Sequence, residues 1–174
     1  MITKPTSILR EMILVAEQKF GRRTTTFPAY VAYTPDHTAP FAGPCLDQNC
    51  IIVFLTEDML TACDEQVRLQ LAHEAVHCLA PSKEKAPRIE EGAATLLSLE
   101  APGISQNYAT EAEAGLPEFY QKALADVREL LQGNPNGILQ VRQVEPNFRK
   151  LTPELLQEVL HISPELAERL CKVE

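Results

Sequence analysis

Residues 61–81 read T-A-C-D-E-Q-V-R-L-Q-L-A-H-E-A-V-H-C-L-A-P. Apolar residues recur here at intervals of three and four, which is the period of one face of an α-helix. These residues are Val67, Leu71, Ala75 and Cys78. Thr61 and Asp64 resemble a helix-start box, and Pro81 stops a helix. We therefore predict a central helix over this stretch, followed by a polar loop, Ser82 to Arg88.

The central helix carries His73-Glu74-Ala75-Val76-His77, an H-E-x-x-H motif. The two histidines lie four residues apart, so both imidazoles project from one helix face and can bind one Zn²⁺ ion. Glu74 lies next to the first ligand, where it can take a proton from an activated water and pass it to a leaving amine. A catalytic zinc site usually has three protein ligands, so the motif predicts one more ligand further along the chain.

The third ligand has its best candidates in Glu90 and Glu91, near the start of a second predicted helix, Ile89 to Glu100. Successive helical residues face about 100° apart, so only one of these carboxylates can point at the metal. Gly92 favours Glu91, because a missing side chain directly after the ligand permits close approach of the two helices. The other carboxylate is then expected to be a solvated charge near the helix N-terminus.

The chain before the central helix predicts one helix and a few strands. Thr6 to Phe20 has apolar residues at helical spacing and is bounded by a proline and a glycine. Thr24 to Tyr33 and Cys50 to Leu55 are predicted strands, because both are rich in β-branched or aromatic residues. Thr34 to Asn49, with three prolines and a glycine, is predicted to be a loop.

The chain after the second helix predicts more helices and no strands. The acidic connector Glu111 to Glu118 is expected to be solvated surface, and a helix from about Pro117 to Gln132 follows it. Two short helices start at Thr152 and Ser163, which are cap residues followed by Pro and Glu.

These elements predict an α+β fold in one domain, residues 1–174. An N-terminal helix and a small sheet form a lobe over about residues 1–81. A mostly helical C-terminal lobe covers about residues 87–174, and the metal is expected between the two lobes.

His73-Glu74-Ala75-Val76-His77 followed by Glu91-Gly92-Ala93-Ala94 resembles the gluzincin metallopeptidases, such as thermolysin-like enzymes and alanyl-type aminopeptidases. Their third zinc ligand is a Glu in an E-G-x-A sequence on a downstream helix. The resemblance covers roughly Ile51 to Leu131, with a short separation between the second His and the Glu. It implies a zincin-like fold that hydrolyses peptide bonds, with Zn²⁺ on His73, His77 and Glu91, and with Glu74 as general base.

The resemblance also implies two further roles. Zincins pair an extended substrate with an edge strand before the active-site helix, and Cys50 to Leu55 stands in that place; a buried core strand is the other interpretation. Gluzincins commonly stabilise the oxyanion with a Tyr or His, for which Tyr108, Tyr120 and His161 are candidates. Tyr120 is preferred because its helix follows the ligand helix, and core packing is its other interpretation.

The charge balance argues against several partner classes. The chain has 16 Lys and Arg against 24 Asp and Glu, a net charge of −8, which disfavours binding to nucleic acid or to an anionic membrane. No apolar run reaches the roughly 18 residues of a membrane span, and charges interrupt the N-terminal apolar stretch where a signal peptide has none. The sequence predicts a cytoplasmic protein whose partner is a peptide or protein substrate.

Two other functions stay open at this point. One is a non-catalytic metal-binding interaction or regulatory domain derived from a peptidase fold, and the other is an all-helical adaptor with an accidental motif. Cys78 is assigned to core packing, and His37 and His161 to a loop and a helix surface. The five cysteines include no C-x-x-C spacing and are not expected to form a disulfide framework.

Overall fold

The computed structural model describes residues 3–35 and 39–173, and these form an α+β fold that is mostly helical. The helices are α1 (Lys4–Phe20), α2 (Asp64–His77), α3 (Arg88–Glu100), α4 (Gln106–Ala114), α5 (Glu118–Gly133), α6 (Gly137–Val144), α7 (Pro153–Leu160) and α8 (Pro164–Cys171). The strands are β1 (Ala29–Thr34), β2 (Phe41–Cys45) and β3 (Cys50–Thr56). The predicted order of one helix, then strands, then helices is confirmed.

The sheet has the order β1-β3-β2, with β1 parallel and β2 antiparallel to β3. Alternate residues of β3 are fully buried, namely Ile51, Val53 and Leu55, whereas Ile52 and Phe54 face a cleft. The strand before the central helix is therefore the middle of the sheet. Its predicted role as an edge strand is wrong, and its other interpretation as a core strand is confirmed.

The edge strand next to the cleft is β2, which lies inside the segment predicted to be a loop. Prolines made this segment resemble a loop, but Pro44 is tolerated because an edge strand needs no N–H on its outer side. The first strand is shorter than predicted: Thr24 does not join the sheet, and its N–H donates to the carbonyl of Leu79 at 2.8 Å.

The helices pack around one hydrophobic cluster that includes residues of both predicted lobes. Helix α1 buries one apolar face, and α2 packs between α1 and α3. Helix α3 in turn packs between α2 and α5. The first turn of α3, with Glu90 and Glu91, lies against the last turns of α2, which carry His73 and His77.

Several helix boundaries differ from the prediction for local reasons. Helix α2 begins at Asp64, and the hydroxyl of Thr61 donates to the carbonyl of Asp58 instead of capping it. Part of the acidic connector is helix α4, which Ser105 caps by accepting from Tyr108 N. Helix α6 follows the Asn134 turn and was not predicted at all.

The last two helices agree with the sequence. Thr152 and Ser163 cap α7 and α8 as predicted.

Among the described residues, none of the helices combines the length and apolar character needed to cross a membrane. The cytoplasmic location stays a prediction.

Candidate metal centre

The two motif histidines share one face of α2, with ring centroids 5.1 Å apart. The first turn of α3 brings Glu91 opposite them. Its Oε2 atom lies 3.3 Å from His73 Nε2 and 3.7 Å from His77 Nε2. One ligand atom from each of the three residues lies within 4.8 Å of the other two, so the group could hold a metal ion.

The spacing of these atoms fits a small cation. Four ligands at about 2.0 to 2.1 Å from a tetrahedral Zn²⁺ lie about 3.3 Å from one another. Glu91 Oε2 lies close to His73 Nε2, yet this buried oxygen has no hydrogen-bond partner among the described residues. A buried carboxylate oxygen without a donor, facing two imidazole nitrogens, is an arrangement that a cation completes.

Glu90 orients the second histidine. Its Oε1 lies 2.7 Å from His77 Nδ1, which leaves Nε2 of that ring facing Glu91. A carboxylate on the far nitrogen of a ligand imidazole fixes its tautomer and orientation. Glu90 is fully buried, so the expectation that the non-ligand acid of this pair is a solvated charge is wrong.

Arg149, which the sequence did not indicate, compensates the buried charge of Glu90. Its Nη1 lies 3.0 Å from Glu90 Oε1, and it also donates to the carbonyls of Ala80 and Glu84, each at 3.0 Å. One guanidinium therefore connects the loop after α2 with the first turn of α3. No local pattern around residue 149 signals this role, because its partners lie far away in the sequence.

The titration of the site reflects its crowding with carboxylates. Burial lowers the pKa of His77, but the hydrogen bond and charge of Glu90, with the charges of Glu91 and Glu74, outweigh this and raise its pKa to about 9. Burial raises the pKa of Glu91, but the neighbouring His73 and His77 lower it below its ordinary value, and Arg149 contributes. The Glu91 carboxylate thus stays ionised, as a metal ligand must.

Glu74 lies beside the histidines and is almost fully buried. Burial raises the pKa of its carboxyl above the ordinary value, although the charges of His77 and His73 oppose this shift, and the charge of Glu91 adds to it. The backbone N–H of Ala42 on β2 also lowers this pKa. A carboxylate whose pKa is raised is a stronger base, and this property suits proton transfer near neutral pH.

Gly92 follows Glu91 but does not face α2. A Cβ added at this position meets Ala123 O at 2.2 Å and Val127 Cγ2 at 2.6 Å, both on α5. The argument that this glycine admits the central helix is therefore wrong. Gly92 instead lets α5 pack against α3, behind the face that carries Glu91.

Tyr120 lies next to His73, unlike the two alternative donors. Its ring packs edge-on against His73 with centroids 5.6 Å apart, and it lines the same cleft. Burial and the charges of Glu91 and Glu74 raise its pKa, so the hydroxyl keeps its proton. Tyr108 interacts with Cys63 at the opposite end of α2.

The remaining residues singled out in the sequence lie elsewhere. His161 ends helix α7 in a left-handed conformation on an exposed surface, away from the cleft. His37 lies outside the described residues. Cys78 is fully buried in the hydrophobic cluster, as predicted.

A cleft of about 850 Å³ gives access to the group. Strand β2 forms one wall, the loop over residues 82–86 forms another, and Ile52 and Phe54 contribute apolar surface. His73, Glu74, His77, Glu91 and Tyr120 all line this cleft. An extended chain could therefore reach the proposed ligands with β2 on one side.

No protein-family model matches the chain, and no curated protein or solved structure matches it. The resemblance to gluzincins therefore stands on the residues of the site alone.

Proposed function

We propose that this protein is a zinc-dependent peptidase of the gluzincin type with a zincin-like fold. The observation that carries the proposal is the convergence of His73, His77 and Glu91 within 4.8 Å, beside the buried Glu74 and at an open cleft. Two imidazoles and one carboxylate are a donor set that zinc accepts while leaving a position for water.

Each residue has a role that follows from its surroundings. Bound zinc supplies Lewis acidity, which polarises the scissile carbonyl and lowers the pKa of a water molecule. Glu74 accepts the proton of the attacking water and later transfers it to the leaving amine. Tyr120 keeps its hydroxyl proton and donates a hydrogen bond to the developing oxyanion. Glu90 orients His77 through its Nδ1 atom.

The substrate in this proposal is an extended peptide that lies along β2. The sequence had assigned substrate pairing to Cys50 to Leu55. We assign it to β2 instead, because β2 borders the cleft whereas β3 is paired on both sides. Main-chain pairing with an edge strand provides affinity that depends little on side chains. The cleavage products distinguish cleavage within a peptide from cleavage at its ends.

The test is cleavage of a peptide library by zinc-replete protein beside its Glu74→Gln variant, with the zinc content of both measured. Gln keeps the shape of the side chain but accepts no proton, so this variant is expected to retain zinc and to lose most of its turnover. A His73→Ala, His77→Ala double variant should lose both zinc and turnover.

Two outcomes would reject parts of this assignment. If the wild type binds no more zinc than the double variant, the metal centre does not exist. If zinc binds but no peptide is cleaved under any condition, the protein is the non-catalytic metal-binding domain that the sequence left open.

A further inference from the structure

The main-chain groups of β2 point in directions that the neighbouring strand determines. Ile51 N donates to Pro28 O at 2.9 Å, so the main-chain groups of Ile51 point toward β1 and away from β2. Pro44 is opposite Ile51 in the antiparallel register. Because direction alternates along such a ladder, Ala42 and Pro44 turn their main-chain groups outward, away from β3.

The position of Glu74 on α2 agrees with this direction. The backbone N–H of Ala42 lowers the pKa of Glu74 and therefore faces its carboxylate. The outer edge of β2 therefore faces the helix that carries the H-E-x-x-H motif, and the cleft lies along this edge.

This edge lacks available donors. Pro44 has no backbone N–H, and the N–H of Ala42 faces the carboxylate of Glu74. Pro40, just before the strand, has none either. The carbonyls of Ala42 and Pro44 accept no hydrogen bond from residues 3–35 or 39–173. An ordinary strand edge offers donors and acceptors in turn, whereas this one offers acceptors only.

We propose that Pro44 makes β2 an acceptor-only edge, so that this protein selects peptide segments that carry two N–H groups two residues apart. This inference rests on the proposed function, since it defines how the substrate of that site is held. Two substrate amides donate to the carbonyls of Ala42 and Pro44, and no substrate carbonyl is bound in return. Segments with proline or an N-methylated residue at either position are excluded, whatever their other side chains.

The test measures binding rather than cleavage. The probe is a fluorescently labelled peptide, acetyl-Ala-Ala-Phe-Leu-Ala-Ala, whose apolar residues suit the surface formed by Ile52 and Phe54. Zinc-replete Glu74→Gln protein prevents turnover during the titration. Each backbone amide of the peptide is methylated in turn, and fluorescence anisotropy gives the Kd.

Methylation should raise the Kd by about threefold to tenfold at each of two amides that lie two residues apart. Methylation of any other amide should change the Kd by less than about twofold. Uniform weakening at every amide, no weakening at any amide, or no binding of the parent peptide overturns the proposal. Cleavage by the wild type is scored separately, so a peptide that binds with this pattern but is never hydrolysed rejects only the peptidase activity.

A Pro44→Ala substitution in the same background supplies the missing N–H. The parent peptide should then bind about threefold to tenfold more tightly, because one of its carbonyls gains a donor. Pro153→Ala, at the start of α7 and outside the cleft, is the matched control and should change nothing. If Pro44→Ala leaves peptide affinity unchanged and instead makes the protein dimerise, the proline only protects the edge from self-pairing, and the proposal is wrong.

Discussion

Replacing Gly92 by alanine should both destabilise the protein and disturb the proposed metal centre. The added Cβ would lie 2.2 Å from Ala123 O and 2.6 Å from Val127 Cγ2. The first of these atoms is backbone, so relief requires movement of α5 against α3 by about 1 Å. Glu91 directly precedes this position and would move with the helix that carries it.

Two opposing effects decide how much Gly92→Ala changes the free energy of unfolding. Alanine is favoured over glycine in a helix interior by about 1 kcal/mol, whereas overpacking of a close contact costs about 1 to 3 kcal/mol and more where backbone must move. The clash at 2.2 Å is with backbone, so we expect a net loss of about 2 kcal/mol of unfolding free energy. For a chain of this size, that loss lowers Tm by about 4 to 8 °C.

The assay is thermal unfolding of the metal-free and zinc-loaded protein, with zinc affinity measured by chelator competition. Gly133→Ala is the matched control, because its Cβ would meet no atom within 4 Å; its Tm should stay equal or rise slightly. We expect Gly92→Ala to bind zinc at least several-fold more weakly. If it unfolds at the temperature of Gly133→Ala with zinc affinity intact, the packing of α5 on α3 does not hold Glu91 in place.

Three further outcomes follow from the site. Glu90→Gln should weaken zinc binding by about tenfold to a hundredfold and lower Tm, because His77 loses its charged partner and Arg149 keeps a buried charge without a counter-charge. The control is Glu129→Gln at an exposed position, which should leave zinc affinity unchanged. Tyr120→Phe should lower kcat by about tenfold to a thousandfold with little change in KM; an unchanged kcat, with a lower Tm for Tyr120→Ala, would make the residue structural. Removing zinc with a chelator should lower stability by about 2.7 kcal/mol relative to protein at a hundredfold excess of zinc over Kd, and equal melting curves would contradict metal binding by the folded state.

The local features of this protein could be predicted from the sequence because they depend on short-range geometry. The two histidines share a face of α2 since any helix places residues four apart on one side. Thr152 and Ser163 cap their helices because each cap involves a backbone N–H three residues away. The sequence also predicted that Glu91 would join the two histidines, and the structure brings these three residues together, although the glycine argument used for Glu91 was wrong.

The tertiary structure decided the features that depend on distant partners. Arg149 meets a carbonyl 69 residues away at Ala80, and no periodicity or motif encodes such a meeting. Glu90 is buried because Arg149 and His77 surround it, while the sequence shows only an acid in a first helical turn. The residues of β2 have low strand propensity, and β2 forms because its main chain pairs with β3. This pairing is a property of the assembled sheet rather than of the residues of β2.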